Sequence, residues 1–410
     1  MRRIAAIDGL RGVAVILVMI YHFDLGFPAG SIGVDVFFTI SGFVIVRRLL
    51  HQFATSTSGT KDLMKGFYVG RFWRLFPALA VMIIAVIGLS QLLNPVLGRP
   101  DRNVANGFTA LAGLANWFTL LHPDESGIAR PLLHTWSLSI EEQFYVCIPL
   151  LLAAFRRHAQ TAAYVLGGLC IAVSALPLPN SEPNEQYFFT LARLAPLGFG
   201  VLLAAFLHPL GDSASCPDSL GSLDSPSTSS FRKLQIKATD IVFLAAGLLL
   251  LPTLRWSSWN ARSMFPVGLA LLGLVTAGLL GLLTLDRTGV VSAVLKSRPA
   301  QYVGSRSYSL YLWHFPLAHL FMSQPRPVRT LAWIVLSFLA AELSYQLVEK
   351  PFRSHGNPLR SEGRGATSDG SATSKATSKA VSIPGGLVRR IPLVSTSCFF
   401  LIGLFSLLKT

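Results

Sequence analysis

Long apolar runs are the feature that most constrains the fold of this chain. A helix of about 20 apolar residues is long enough to cross a lipid bilayer, and runs of that length recur along the 410 residues, of which 51% are hydrophobic and only 13% charged. Helices satisfy all of their backbone hydrogen bonds within one segment, as a membrane requires. The sequence therefore predicts an all-α fold, a polytopic transmembrane helix bundle.

Ten core spans and an eleventh, C-terminal span are predicted. They cover residues 5–24, 33–50, 75–93, 134–155, 161–178, 187–208, 238–254, 265–285, 302–323, 329–348 and 391–408. The apolar stretch at 108–121 is too short to cross and predicts an interfacial or re-entrant segment. With a cytoplasmic N-terminus, 24 Lys and Arg residues fall inside and seven outside. This bias predicts a multi-pass protein of the cytoplasmic (inner) membrane.

Composition divides the chain into three regions. Residues 1–352 form the predicted transmembrane domain, 353–389 a disordered cytoplasmic tether that contains ATSDGSATSKATSKA, and 390–410 the additional span. A second polar segment at 211–230 predicts a disordered loop. The net charge of +15 is explained by basic cytoplasmic loops, and no nucleic-acid motif is present. The four cysteines lie far apart, so we predict neither a disulfide framework nor a metal site.

The first span carries an ionisable pair, Arg11 and His22, separated by ten residues. Eleven helical steps place both side chains on one face, about 16 Å apart along the axis. Ionisable residues inside membrane helices usually serve function. The topology predicts Arg11 near the cytoplasmic face and His22 in the outer half of the bundle. The alternative is that His22 is an ordinary interfacial histidine.

Polar side chains from three other spans are predicted to join His22 in the outer half. They are Asp35 in the second span, His134, Glu141 and Glu142 in the fourth, and Ser307, Tyr311 and His314 in the ninth. Because carboxylates facing lipid are costly, we expect these acids to line a polar cavity. Structural alternatives remain for Asp35 as a helix cap, and for one of Glu141 and Glu142 as a helix-end charge.

Two arginines, Arg71 and Arg74, lie three residues apart at the predicted inner end of the third span. Together with Arg11 they are suited to hold a phosphate-bearing ligand through charge-assisted hydrogen bonds. The alternative is that they are ordinary positive-inside anchors beside aromatic residues.

Several motifs occur together in a recognisable order. They are the Arg11 and His22 pair, GVDVFFTISGF at 33–43, RFWR at 71–74, HTWSLSIEEQFY at 134–145, SYSLYLWHFP at 307–316 and EKP at 349–351. The ordered set, over about residues 4–352, resembles the membrane-bound acyltransferase-3 family. The resemblance implies transfer of an acyl group, usually acetyl, from acyl-CoA to a hydroxyl of a carbohydrate or other exported acceptor.

The resemblance also implies roles for individual residues. It makes Arg11 and His22 functionally important and associates Arg71 and Arg74 with the donor. Some family members add an SGNH-type hydrolase domain after an eleventh span. Only two residues follow the predicted last span here, so we expect no such domain in this chain.

A mechanism follows from these assignments. We expect neutral His22 to act as general base on the acceptor hydroxyl, with Asp35 or Glu141 orienting its imidazole. Tyr311, Ser307, His314 or a backbone N–H would stabilise the oxyanion. Acyl transfer through an acyl-histidine is the rival route. Arg193 and Glu342, which also lie inside apolar spans, either pair with each other or serve the donor tunnel.

The expected ligands follow from the same interpretation. No permanently bound cofactor and no metal are expected, and acyl-CoA, with acetyl-CoA first, is the co-substrate. The acceptor is a carbohydrate or a glycosylated or lipid-linked molecule; membrane lipid and polysaccharide-assembly proteins are the other expected partners. The alternatives are a multi-span transporter with an intramembrane proton or anion relay, and a catalytically silent assembly partner.

Overall fold

A computed structural model describes residues 4–23, 25–93, 97, 99–122, 130–176, 183–208, 267–285, 289–320 and 326–355. Within these ranges every regular element is helical, as the sequence predicts. Among the described residues, six helices are long and apolar enough to cross a membrane, so the chain is a multi-pass membrane protein.

Fifteen α-helices are numbered here in chain order. They are α1 Ala5–His22, α2 Ile32–Thr55, α3 Thr60–Leu92, α4 Pro100–Leu111, α5 Ala115–Leu121, α6 Thr135–Ala154, α7 Ala159–Ser174, α8 Pro183–Phe188, α9 Leu194–Leu207, α10 Val267–Leu285, α11 Val290–Leu295, α12 Arg298–Ser305, α13 Ser307–Leu320, α14 Arg326–Ser344 and α15 Lys350–His355. Short 3₁₀ helices cover Pro28–Ser31, Arg156–His158 and Leu191–Arg193, and a π-helical segment covers Tyr345–Glu349.

Several predicted boundaries differ from the observed ones, and three of these differences change the arrangement of the helices. Helix α3 begins at Thr60 and has 33 residues, about 50 Å at 1.5 Å per residue, so it is longer than the hydrocarbon core. The predicted ninth span is divided between α12 and α13 at Arg306. The predicted segment at 108–121 is two helices, α4 and α5, that meet at Gly113, whose φ of 70° suits a residue without a Cβ.

Parts of the predicted organisation lie outside the described residues. These are the loop at 211–230, the span at 238–254, the last span at 390–410 and all of the 353–389 tether except its first three residues, which belong to α15. The predicted domain boundary at 352 therefore falls within a helix.

Helix α1 lies at the centre of the site's scaffold, where it packs against α2, α12 and α13. Two glycines allow its close approach to neighbouring backbones. A Cβ on Gly9 would meet the Leu295 carbonyl, and one on Gly33 of α2 would meet the Ala14 carbonyl. Small residues at helix contacts are a common way for membrane helices to approach closely. These contacts hold the N-terminal part and the middle of α1 in place.

A methyl group on Gly9 should therefore destabilise the bundle. We expect Gly9→Ala to lower the free energy of unfolding by about 1–3 kcal/mol, because backbone atoms of Leu295 cannot move aside as a side chain can. The control is Gly278→Ala in α10, where a Cβ meets nothing within 4 Å. Thermal unfolding of both purified variants in detergent checks this, and equal midpoints would contradict the close contact.

Candidate active site

Three histidines from distant parts of the chain meet at one end of the bundle. His22 ends α1, His134 directly precedes α6, and His314 lies in α13. The Nδ1 atom of His22 is 3.0 Å from Nε2 of His314. The ring centroid of His134 is 5.8 Å from that of His314 and 5.6 Å from that of Tyr311. Four of the residues selected from the sequence thus form one group, which we name the histidine cluster.

Hydrogen bonds in this cluster fix the tautomer of His22. Nδ1 of His314 lies 3.1 Å from the Leu310 carbonyl oxygen, and a carbonyl only accepts, so this nitrogen carries the proton. In the neutral ring Nε2 of His314 is then an acceptor, and Nδ1–H of His22 donates to it. This leaves Nε2 of His22 without a proton. That atom is suited to remove a proton from a hydroxyl group.

The sequence predicted that Asp35 or Glu141 would orient His22. In the structure, the side chain that His22 contacts is His314. Three further contacts hold His314 and its helix. The indole N–H of Trp333 donates to the His314 carbonyl at 2.6 Å, and the Tyr311 hydroxyl contacts Ser137 Oγ at 2.5 Å and the His134 carbonyl at 3.0 Å. Contacts between α13, α14 and α6 thus position the imidazole of His314 beside His22.

Asp35 pairs with Arg193, for which the sequence suggested either Glu342 or the donor tunnel. Its two carboxylate oxygens accept hydrogen bonds from Nη1 of Arg193 at 3.0 and 3.1 Å, and both residues are only 1% exposed. The guanidinium group of Arg193 also lies 4.1 Å from the ring centroid of Tyr187 and 5.2 Å from that of Trp136. Asp35 and Arg193 form a buried ion pair next to the rings of Tyr187 and Trp136.

The suggested pairing of Arg193 with Glu342 is consequently wrong. Glu342 accepts hydrogen bonds from the guanidinium group of Arg306, from the Tyr302 hydroxyl and from Gln346. Tyr302 lies on α12 and Arg306 directly follows it, whereas Glu342 lies near the end of α14 and Gln346 in the π-helical segment. Arg193 and Glu342 therefore belong to different contacts between helices.

Glu141 lies deeper in the bundle, in a group of hydroxyl donors. Ser41 donates to one of its oxygens at 2.7 Å and Tyr145 to the other at 2.9 Å. The Arg71 guanidinium group lies 4.1 Å from the ring centroid of Tyr145. Arg71 thus lies over the ring of Tyr145, whose hydroxyl donates to Glu141. The spacing of RFWR does not predict this placement.

Glu142 lies next to the α4–α5 turn instead. Its Oε2 atom is 3.0 Å from the position that a Cβ on Gly113 would take. Glu141 and Glu142 therefore face different surroundings, and only Glu141 accepts hydrogen bonds from the hydroxyls of Ser41 and Tyr145.

A cavity of about 150 Å³ lies near the opposite end of α1. Its lining includes Arg11, Arg74 and Ser307 among the predicted residues, and also Asp8, Gly304, Ser305, Tyr308, Tyr345, Glu349 and Arg353. We name it the arginine cavity. Ser307 belongs here and not with His314, because seven helical steps separate the two residues, about 10 Å along α13.

Arg11 and Arg74 have guanidinium groups that are available to a ligand. Neither makes a hydrogen bond or ion pair to another residue in the described part of the chain, and the Ser307 hydroxyl is likewise buried without a hydrogen bond there. Uncommitted donors around a cavity are suited to an anion with several oxygens, such as a phosphate. Arg71 does not line this cavity, so the predicted set of three arginines is brought together only in part.

Glu349 and Arg353 were missed as cavity residues. They follow α14, where the π-helical segment Tyr345–Glu349 turns Tyr345 and Glu349 towards the cavity. Such segments often mark functional sites. The EKP motif at 349–351 was the available signal. Within the described ranges, no group of three or more His, Cys, Asp or Glu side chains is arranged to hold a metal ion.

Comparison with known proteins adds independent information. Residues 4–345 match a family described as an acyltransferase domain. The chain is 29% identical over 372 residues to the peptidoglycan O-acetyltransferase OatA of Listeria monocytogenes, which covers 86% of this chain and 56% of that protein. It is 31% identical over 372 residues to the putative peptidoglycan O-acetyltransferase YrhL of Bacillus subtilis, at 87% and 56% coverage.

A third relative is a putative O-acetyltransferase of Staphylococcus aureus strain COL, 31% identical over 383 residues, with 87% of this chain and 58% of the relative covered. The chain thus spans little more than half the length of these relatives. No solved structure matches it.

Proposed function

Because this chain belongs to the acyltransferase family whose domain it matches over residues 4–345, we propose that it is a membrane-bound O-acyltransferase. It would move an acetyl group from cytoplasmic acetyl-CoA to a hydroxyl of an exported carbohydrate. The observation that carries the proposal is the hydrogen-bonded series from Leu310 through His314 to His22, which leaves a basic nitrogen at His22.

The proposed reaction is direct attack by the acceptor. Nε2 of His22 removes the proton of the acceptor hydroxyl as that oxygen bonds to the thioester carbonyl carbon. The carbon–sulfur bond of the tetrahedral intermediate then breaks, and the CoA thiolate leaves. The imidazolium of His22 returns its proton to the sulfur, which restores the neutral base. His314 orients His22 throughout, in the way that a third group orients the base of a catalytic triad.

The donor would enter from the cytoplasm with its phosphates in the arginine cavity. The uncommitted guanidinium groups of Arg11 and Arg74 support this assignment. Arg11 and His22 are about 16 Å apart along α1, a separation that an extended pantetheine arm can cover. Glu141 and Tyr145 on α6, together with Ser41 on α2, lie between the level of Arg11 and the level of His22. This arrangement goes with ten core spans and a cytoplasmic N-terminus, as the basic residues predict.

Peptidoglycan fragments are the first acceptors to test, because two relatives are named for peptidoglycan. The purified full chain in proteoliposomes, given acetyl-CoA labelled in the acetyl group, should transfer label to a sugar hydroxyl. Mass spectrometry of the acceptor locates the ester. Transport of an unmodified substrate across the liposome membrane, without label transfer to any carbohydrate, would instead favour the transporter alternative.

A further inference from the structure

The arginine cavity contains a third basic residue that differs from the other two. Arg353 lies on α15, beyond the last long helix, and its side chain is 37% exposed, whereas Arg11 and Arg74 are partly buried. Arg353 is therefore the outermost of the three arginines around the cavity.

Glu349 holds Arg353 in this position. Nη1 of Arg353 donates to one Glu349 oxygen at 3.1 Å, and Ser309 donates to the other at 2.9 Å. Glu349 is buried and is itself held by Ser309, so it fixes the position of the more exposed arginine side chain. Because one nitrogen of the guanidinium group is engaged by Glu349, its other N–H groups remain to face an anion.

The chemistry of coenzyme A provides a matching order of charges. From the thioester outward, the molecule has the pantetheine arm, the pyrophosphate and then the ribose with its 3′-phosphate. With the thioester at His22, the inner arginines meet the pyrophosphate first, and the outer one meets the most distant phosphate. We propose, on the basis of the function proposed above, that Arg353 is the residue that recognises the 3′-phosphate of the acyl-CoA donor.

Two donors that differ in a single group test this proposal. The purified full chain is assayed with acetyl-CoA and with acetyl-3′-dephospho-CoA, which lacks only the phosphate in question. The wild type should have a KM for acetyl-CoA at least about 10-fold lower than for the dephospho donor, as expected for a charge-assisted contact. Arg353→Gln should raise the KM for acetyl-CoA to that of the dephospho donor, with kcat unchanged for both.

A matched control is Lys350→Gln. Lys350 is an exposed cation on the same helix, and its ammonium group contacts Gln346 at 3.4 Å outside the cavity lining. The Lys350→Gln variant should leave the preference for acetyl-CoA over the dephospho donor unchanged. An equal KM increase for both donors in Arg353→Gln, or the same loss of preference in Lys350→Gln, would overturn the assignment. Failure of the wild type to use either donor would instead reject the proposed function itself.

Discussion

Replacing His22 by Asn should lower kcat by about 10²–10⁴-fold. The amide of Asn can keep a donor near the position of Nδ1, and so keep the contact with His314, but it offers no base at the position of Nε2. The substitution removes the proposed proton transfer with little change of shape. Label transfer from acetyl-CoA, measured at saturating donor, gives the change in kcat.

His319→Asn is the matched control for this variant. His319 lies on the same helix as His314 and is also largely buried, and its Nδ1 atom is 3.1 Å from the Phe315 carbonyl oxygen. Its replacement should leave turnover near the wild-type value. Full activity of His22→Asn would reject the proposal that His22 acts as the general base. Acetyl label trapped on His22 without acceptor would replace direct attack by the acyl-histidine route.

Helical periodicity predicted much of this arrangement. Residues spaced along one helix keep their relative height and face in any bundle, so the separation of Arg11 and His22 needed no tertiary structure. The alternation of spans also correctly predicted that His134 and His314 lie at the same level as His22. The geometry that suits His22 to act as a base depends, however, on a contact between residues 292 positions apart, and only folding supplies that contact.

Partner choice among charged side chains was the less predictable part. Asp35 and Arg193 are separated by 158 residues, and the sequence contains other arginines inside apolar segments, including Arg306. Periodicity gives each residue a height and a face, but it does not give the neighbour of each helix. For this reason the suggested pairing of Glu342 with Arg193 was wrong, and the ion pair of Asp35 with Arg193 was not predicted.

Arg71 and Arg353 show the same limit for the arginine cavity. The RFWR motif suggests two equivalent arginines, yet three steps of 100° leave them about 60° apart on α3, and Arg71 is directed to the ring of Tyr145. Arg353 lies just beyond the tenth predicted span, where a basic residue is also expected as a positive-inside anchor. Position alone could not separate that ordinary role from a place in the cavity.

The second large effect is expected at the buried ion pair. Asp35→Asn and Arg193→Gln should each lower the free energy of unfolding by about 3–5 kcal/mol, because each leaves one buried charge without its partner. Both side chains are only 1% exposed, so water cannot replace the missing partner. Thermal unfolding in detergent and the yield of folded protein measure the loss.

The double variant Asp35→Asn with Arg193→Gln removes both charges together and keeps groups that can hydrogen-bond. It should recover most of the stability lost by either single variant, as replaced buried pairs often do. If the double variant instead loses as much free energy of unfolding as the two single variants together, the two residues do not interact directly.

Activity of the folded double variant also decides between the two roles considered for Asp35. If Asp35 only stabilises the contact between α2 and the 3₁₀ helix that contains Arg193, the double variant should retain turnover, because His22 keeps its orientation through His314. If the carboxylate acts in proton transfer, stability should return without activity. Measuring kcat at matched folded fractions therefore separates a structural ion pair from a catalytic one.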